Sequence, residues 1–92
     1  MGDKIRHSGK NERGEVYVFH CPGCEYGHMY EVPRWNWNGS LEKPTFTPSL
    51  LVNQSLPESR CHLFVTDGKI QFLAECHHKL KGQTVEMEDW DG

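Results

Sequence analysis

Cysteine and histidine are the residues of this chain whose spacing could do chemistry. Cys21-Pro22-Gly23-Cys24 sets two thiols three positions apart in a loop with a proline and a glycine, so both sulfurs can reach one tetrahedral cation. Further donors follow at Cys61-His62, after a gap of 36 residues, and at Cys76-His77-His78, after another 13. Zinc (Zn2+) takes four such ligands when its role is structural and keeps one position for water when it is catalytic. The expected ligands are Cys21, Cys24, Cys61 and Cys76, with His78 and His62 as alternates able to replace a thiol. His20, His28 and His77 are read as neighbours that hydrogen-bond near a ligand, and His7 is assigned nothing.

Other uses of the same residues are weaker. A thioredoxin-type redox pair needs a βαβ setting with a helix after the motif, and neither is present. Two disulfides are the competing account of four cysteines. The N-terminal stretch MGDKIRHSGKNERG has no apolar segment that would mark a secretory leader, so the thiols point to a reducing compartment, the cytoplasm. There is no H-E-x-x-H, no G-x-S-x-G, no phosphate-cradling glycine loop and no recognisable carboxylate–histidine signature, so no catalytic residue is assigned.

The elements that must position these thiols are short strands. Glu15 to His20 is β-rich and ends at Cys21, and Glu25 to Val32 reads as the returning strand, the arrangement of a zinc knuckle in which Gly23 supplies a positive φ. Pro33, Pro44, Pro48 and Gly39 exclude a helix from 33–49, and Asn38-Gly39 marks a turn. Leu50-Leu51-Val52 reads as a buried strand. Cys61–Thr66 and Lys69–Glu75 flank Asp67-Gly68, a pair that favours a type I′ turn. Pairing Thr66 with Lys69 makes one face of this hairpin Cys61, Leu63, Val65, Ile70, Phe72, Ala74 and Cys76. The mixed opposite face carries His62, Phe64, Thr66, Lys69, Gln71, Leu73 and Glu75. Gln83 to Met87 can add a last strand.

The fold class is therefore mainly β: a small zinc-organised antiparallel domain, ribbon- or knuckle-like, with little or no helix. Residues 15–87 form the domain, 1–14 a flexible arm and 88–92 an acidic tail bearing Trp90. At 92 residues, 36% hydrophobic and a mean hydropathy of −0.72, the chain can bury only a thin core, which at this size is often supplemented by a metal, disulfides or a partner. A net charge of −3 disfavours a nucleic-acid partner, and no stretch approaches the roughly 18 apolar residues of a membrane span. Trp35 and Trp37, two apart, share a face. They serve as cover for the core or as an aromatic platform for a partner protein.

Residues 19–86 also resemble a family of small phage and prophage proteins. The resemblance is carried by Cys21-Pro22-Gly23-Cys24, Trp35-x-Trp37-Asn38-Gly39, Lys43-Pro44-Thr45-Phe46-Thr47-Pro48-Ser49, the Cys61–Leu73 hairpin and Cys76 to Val85. It departs at His77, where those proteins have a small polar residue, which leaves open which imidazole binds metal. The label ammonia monooxygenase often attached to that family is not supported by these residues, since that enzyme is a membrane complex. The resemblance implies a phage accessory module that binds a host or phage protein, with inhibition of a host defence complex as a special case. The alternative is a small zinc-dependent hydrolase in which His62, His77 or His78 moves protons near an open metal site. Binding is favoured, because a thiolate-rich site is closed and electron-rich.

Overall fold

In the computed structural model, which describes residues 2–89, eight strands form two antiparallel sheets. The first sheet has the order β1-β2-β3: β1 (Arg6–Asn11), β2 (Gly14–Cys21) and β3 (Tyr26–Val32). The second runs β4-β5-β6-β7-β8: β4 (Asn36–Trp37), β5 (Phe46–Val52), β6 (Cys61–Thr66), β7 (Lys69–Phe72) and β8 (Thr84–Glu86). A single 3-10 turn, Pro57–Ser59, is the one helical piece among the described residues.

Alternation explains which faces meet. Cys61, Leu63 and Val65 on β6, with Ile70 and Phe72 on β7, are all buried, and the intervening residues are not. The register is Thr66↔Lys69, Val65↔Ile70 and Leu63↔Phe72, as the Asp67-Gly68 turn requires; both turn residues have positive φ. Ala74 departs from that apolar face: β7 ends at Phe72 and Ala74 lies exposed in the following turn.

The two sheets are joined by rings. Tyr30 of β3 stacks on Phe46 of β5 with centroids 3.9 Å apart and planes 3° from parallel, and Phe19 of β2 packs against Tyr30 with centroids 5.8 Å apart. All three are completely buried. Burying aromatic area on this scale compensates for the low apolar content of the chain.

Arg6–Asn11 is a strand where the sequence suggests an aperiodic arm. Every residue of β1 is exposed, so it carries no alternating pattern; it is held by its ladder to β2. Flanking contacts anchor it: Ile5 is buried, and Asn11 and Arg13 both donate to the buried carboxylate of Glu31. At the other end Lys4 pairs with Asp89. Trp90 of the expected acidic tail lies outside the described residues.

The Tyr30 hydroxyl is buried without a hydrogen-bond partner among the described residues, and burial pushes its pKa up. A buried polar group left unsatisfied costs about 1–3 kcal/mol. Tyr30→Phe should therefore raise stability by about 1 kcal/mol in denaturant unfolding, whereas Phe46→Ala should lower it by about 3–5 kcal/mol. A destabilised Tyr30→Phe variant would mean that the hydroxyl has a partner.

Candidate functional site

The turn between β2 and β3 presents Cys21 and Cys24, and the β6–β7 hairpin brings Cys61 to the same point. Ligand atoms of Cys21, Cys24, Cys61 and His28 all lie within 4.8 Å of one another, close enough to hold a metal ion. Two further groups overlap with this one: Cys61, Cys76 and His78, and Cys24, His77 and His78. All four cysteines are free thiols. Cys21 and Cys61 are completely buried, so their sulfurs face each other in a low-dielectric setting.

The thiols do not titrate independently. The hydrogen bond from Cys61, with help from His28, holds the Cys21 thiol down to about 3, and the same bond pushes Cys61 up. Burial, reinforced by the charge on Cys21, pushes Cys24 up to about 11. One thiolate is thus stabilised at the expense of its neighbours; a cation at the centre would remove that conflict by stabilising them together.

The predicted ligands fare differently. Cys21, Cys24 and Cys61 converge, and Cys76 and His78 reach them through Cys61, with Sγ to Sγ 3.9 Å for Cys76 and Nε2 to Sγ 3.6 Å for His78. Burial lowers the pKa of His78. His62 belongs to none of the three groups. His28, read from sequence as a neighbour only, sits inside the principal group and is buried. His77 places Nε2 3.3 Å from Cys24 Sγ, while His20 and His7 pair with Glu88 and Glu15 at the surface.

Gly23 is required for a reason other than the one expected. It has no positive φ; the left-handed residue of this turn is Glu25. A Cβ on Gly23 would lie 2.3 Å from the His78 ring, so the missing side chain is what lets His78 close over the thiols.

His62 faces a different row. Its Nε2 lies 2.8 Å from Ser49 Oγ, and its Nδ1 is bonded to the carboxylate of Glu75. These three residues come from adjacent strands and the turn after them, on the face of the second sheet opposite its apolar side. Leu51 pairs with His62, which puts Ser49 diagonal to it, and the Leu73 N–H donates to the His62 carbonyl, which puts Glu75 diagonal on the other side. Between Phe46↔Val65 and Leu50↔Leu63, β5 advances four residues while β6 advances two. The extra residues form an irregularity at Thr47–Ser49, and such bulges re-aim a side chain out of the regular ladder. A carboxylate on one imidazole nitrogen and a hydroxyl on the other is a geometry in which the ring can take the hydroxyl proton.

The row and the thiols share backbone. His62 follows Cys61, Glu75 precedes Cys76, and the Cys76 sulfur accepts from the His62 N–H at 3.2 Å while its thiol reaches the His62 carbonyl at 3.1 Å. Trp35 donates its Nε1–H to the Ser49 carbonyl at 3.3 Å and packs edge-on against Tyr30. Trp37 lies on Phe46 and Tyr17 and donates to Ser40. Both tryptophans are half-buried. Beside Trp35 runs an open cleft of about 450 Å³ walled by Tyr26, Met29, Leu50 and Leu51.

Fold and site together define a small two-sheet β protein built round a cluster of cysteines and histidines able to hold a metal. Residues 2–73, well over half of the chain, match the family described as Bacterial ubiquitination-like system serine protease (BubE), and the chain belongs to that family. The match supports a family of that system rather than, specifically, the phage zinc-ribbon-like family that the sequence resembles. It includes Ser49 and His62 and ends two residues before Glu75. No match was found among curated proteins or among solved structures. No described helix is long and apolar enough to cross a membrane.

Gly23→Ala must displace the His78 ring, whereas Gly27→Ala meets only the Phe19 carbonyl at an ordinary 3.6 Å. The first should lower the melting temperature by several degrees and the second by a degree or two at most, as followed by circular dichroism. Equal effects would mean that His78 does not close on this loop.

Proposed function

We propose that this chain is a serine protease of a bacterial ubiquitination-like system, with Ser49 as nucleophile, His62 as general base and Glu75 as the carboxylate that orients it. The observation that carries this reading is the row itself, Ser49 Oγ 2.8 Å from His62 Nε2 and Glu75 bonded to His62 Nδ1. The description of the family agrees with it.

The chemistry follows from the geometry. Glu75 accepts the Nδ1–H of His62, which leaves the Nε2 lone pair aimed at Ser49 and stabilises the imidazolium that forms. Ser49 Oγ gives its proton to Nε2 as it attacks a peptide carbonyl carbon. The C–N bond then breaks, and His62 passes that proton to the departing amine. Water, activated by the same imidazole, hydrolyses the acyl-serine and restores the hydroxyl. Trp35, fixed to the Ser49 carbonyl, and the apolar cleft beside it would take the segment next to the scissile bond.

The thiol-rich cluster is read as a structural zinc site. It is dense in thiolates, which favours a closed shell over a Lewis acid that activates water. The zinc-hydrolase alternative also loses His62, which is committed to Ser49 and Glu75. The protein-interaction reading is retained in a narrower form, since a protease of this system binds a protein as its substrate. A phage source and a host-directed partner rest on the resemblance of residues 19–86 alone.

Treatment with a fluorophosphonate probe tests the assignment without knowledge of the substrate. The expected result is one adduct, mapped by mass spectrometry to Ser49, that is absent in Ser49→Ala and His62→Ala and forms about 10²–10⁴-fold more slowly in Glu75→Gln. Circular dichroism should show that the variants remain folded. A folded wild-type protein that stays unlabelled, or that labels as fast after Ser49→Ala, overturns the reading.

A further inference from the structure

We propose that a single zinc ion is held by Cys21, Cys24, His28 and Cys61, with Cys76 outside the coordination shell and His78 acting as a hydrogen-bond donor to Cys61 rather than as a ligand. This rests on the reading of the cluster as a zinc site and goes further by choosing among the seven cysteines and histidines of its overlapping groups.

Three observations separate ligands from neighbours. His28 is only 5% exposed, and its Nε2 is buried with no hydrogen-bond partner among the described residues. A buried imidazole nitrogen without a partner is costly, and a cation shared with the three thiols around it would satisfy that nitrogen. Its ring is held edge-on against both Phe19 and Tyr26, so it is already fixed in the cluster.

His78 shows the opposite pattern. Its Nδ1 accepts the Leu80 N–H at 3.2 Å, which puts the ring proton on Nε2 in the neutral imidazole. That Nε2–H points at Cys61 Sγ, 3.6 Å away. A zinc-bound histidine would need Nε2 bare and would donate from Nδ1, the reverse of what Leu80 imposes. His78 therefore stabilises the Cys61 thiolate by an N–H···S bond, as the Cys24 N–H does for Cys21 at 3.4 Å.

Cys76 is already satisfied elsewhere. Its sulfur takes the His62 N–H and reaches the His62 carbonyl, so it braces His62, with Cys61 Sγ farther off at 3.9 Å. The four chosen donors need only a modest contraction to bind. Zn–S bonds of about 2.3 Å give S···S edges of about 3.8 Å in a tetrahedron, against a present limit of 4.8 Å.

The test uses intact protein. Metal analysis by inductively coupled plasma mass spectrometry should return one zinc per chain; none would remove the zinc reading itself, and two would overturn the single-site assignment. After exchange for ¹¹³Cd, the cadmium resonance should fall in the range of three thiolates and one nitrogen and couple to the ring protons of His28. Cys76→Ser should leave that resonance in place with full metal content, and His28→Ala should shift it, with metal affinity falling about 10- to 100-fold or more while His28→Cys restores binding. A four-thiolate resonance in the wild type, or one lost in Cys76→Ser and kept in His28→Ala, overturns the assignment. Because the wild-type spectrum alone counts thiolates, the result stands even where a variant fails to fold.

Discussion

Sulfur atoms from two hairpins that are distant in sequence meet at one buried point, and most of the structure depends on that convergence. Cys21 and Cys24 close the β2–β3 hairpin, while Cys61 opens the β6–β7 hairpin. Their protons are linked: the Cys61 hydrogen bond holds the Cys21 thiol down while Cys24 is pushed up, and a cation at their centre would stabilise the thiolates together. The aromatic stack of Phe19, Tyr30 and Phe46 joins the same two sheets farther along. The sheets are thus held together at two places, one apolar and one polar, which suits a chain with few apolar residues to bury.

The polar fastening also governs the serine–histidine–glutamate row. Two of its three members are chain neighbours of cysteines, and Cys76 bonds to both backbone groups of His62. A displacement of Cys61 or Cys76 would therefore move His62 relative to Ser49, and a change of about 1 Å at a nucleophile–base contact is enough to cost a large share of a rate. Ser49 is placed independently, by the irregularity in β5 and by the Trp35 bond to its carbonyl. The cluster and the row are chemically separate, yet they use the same few residues of backbone.

Much of this was legible in the sequence. The Asp67-Gly68 turn and strict alternation determined the β6–β7 register from Thr66↔Lys69 to Leu63↔Phe72, and extending that alternation placed His62 and Glu75 on one face, although the ladder itself ends at Phe72. Cys21, Cys24 and Cys61 were identifiable from C-x2-C logic and from the end of the hairpin on which Cys61 lies. What escaped was whatever depends on departures from regular pairing. Ser49 sits in an irregular segment just after two prolines, Pro44 and Pro48, so no period could aim its side chain at His62. β1 is exposed on both faces and so leaves no pattern. His28 follows the knuckle at a spacing that does not by itself distinguish a ligand from a neighbour, and only its burial beside three thiols does so.

Amide hydrogen exchange, followed by mass spectrometry on the protein as purified and after removal of metal by a chelator, tests the central claim most directly. If one bound ion fastens both hairpins, the segments 19–30 and 60–78 should lose protection together, including the His62 amide that donates to Cys76. Unchanged protection in either segment after complete removal of metal would contradict the account.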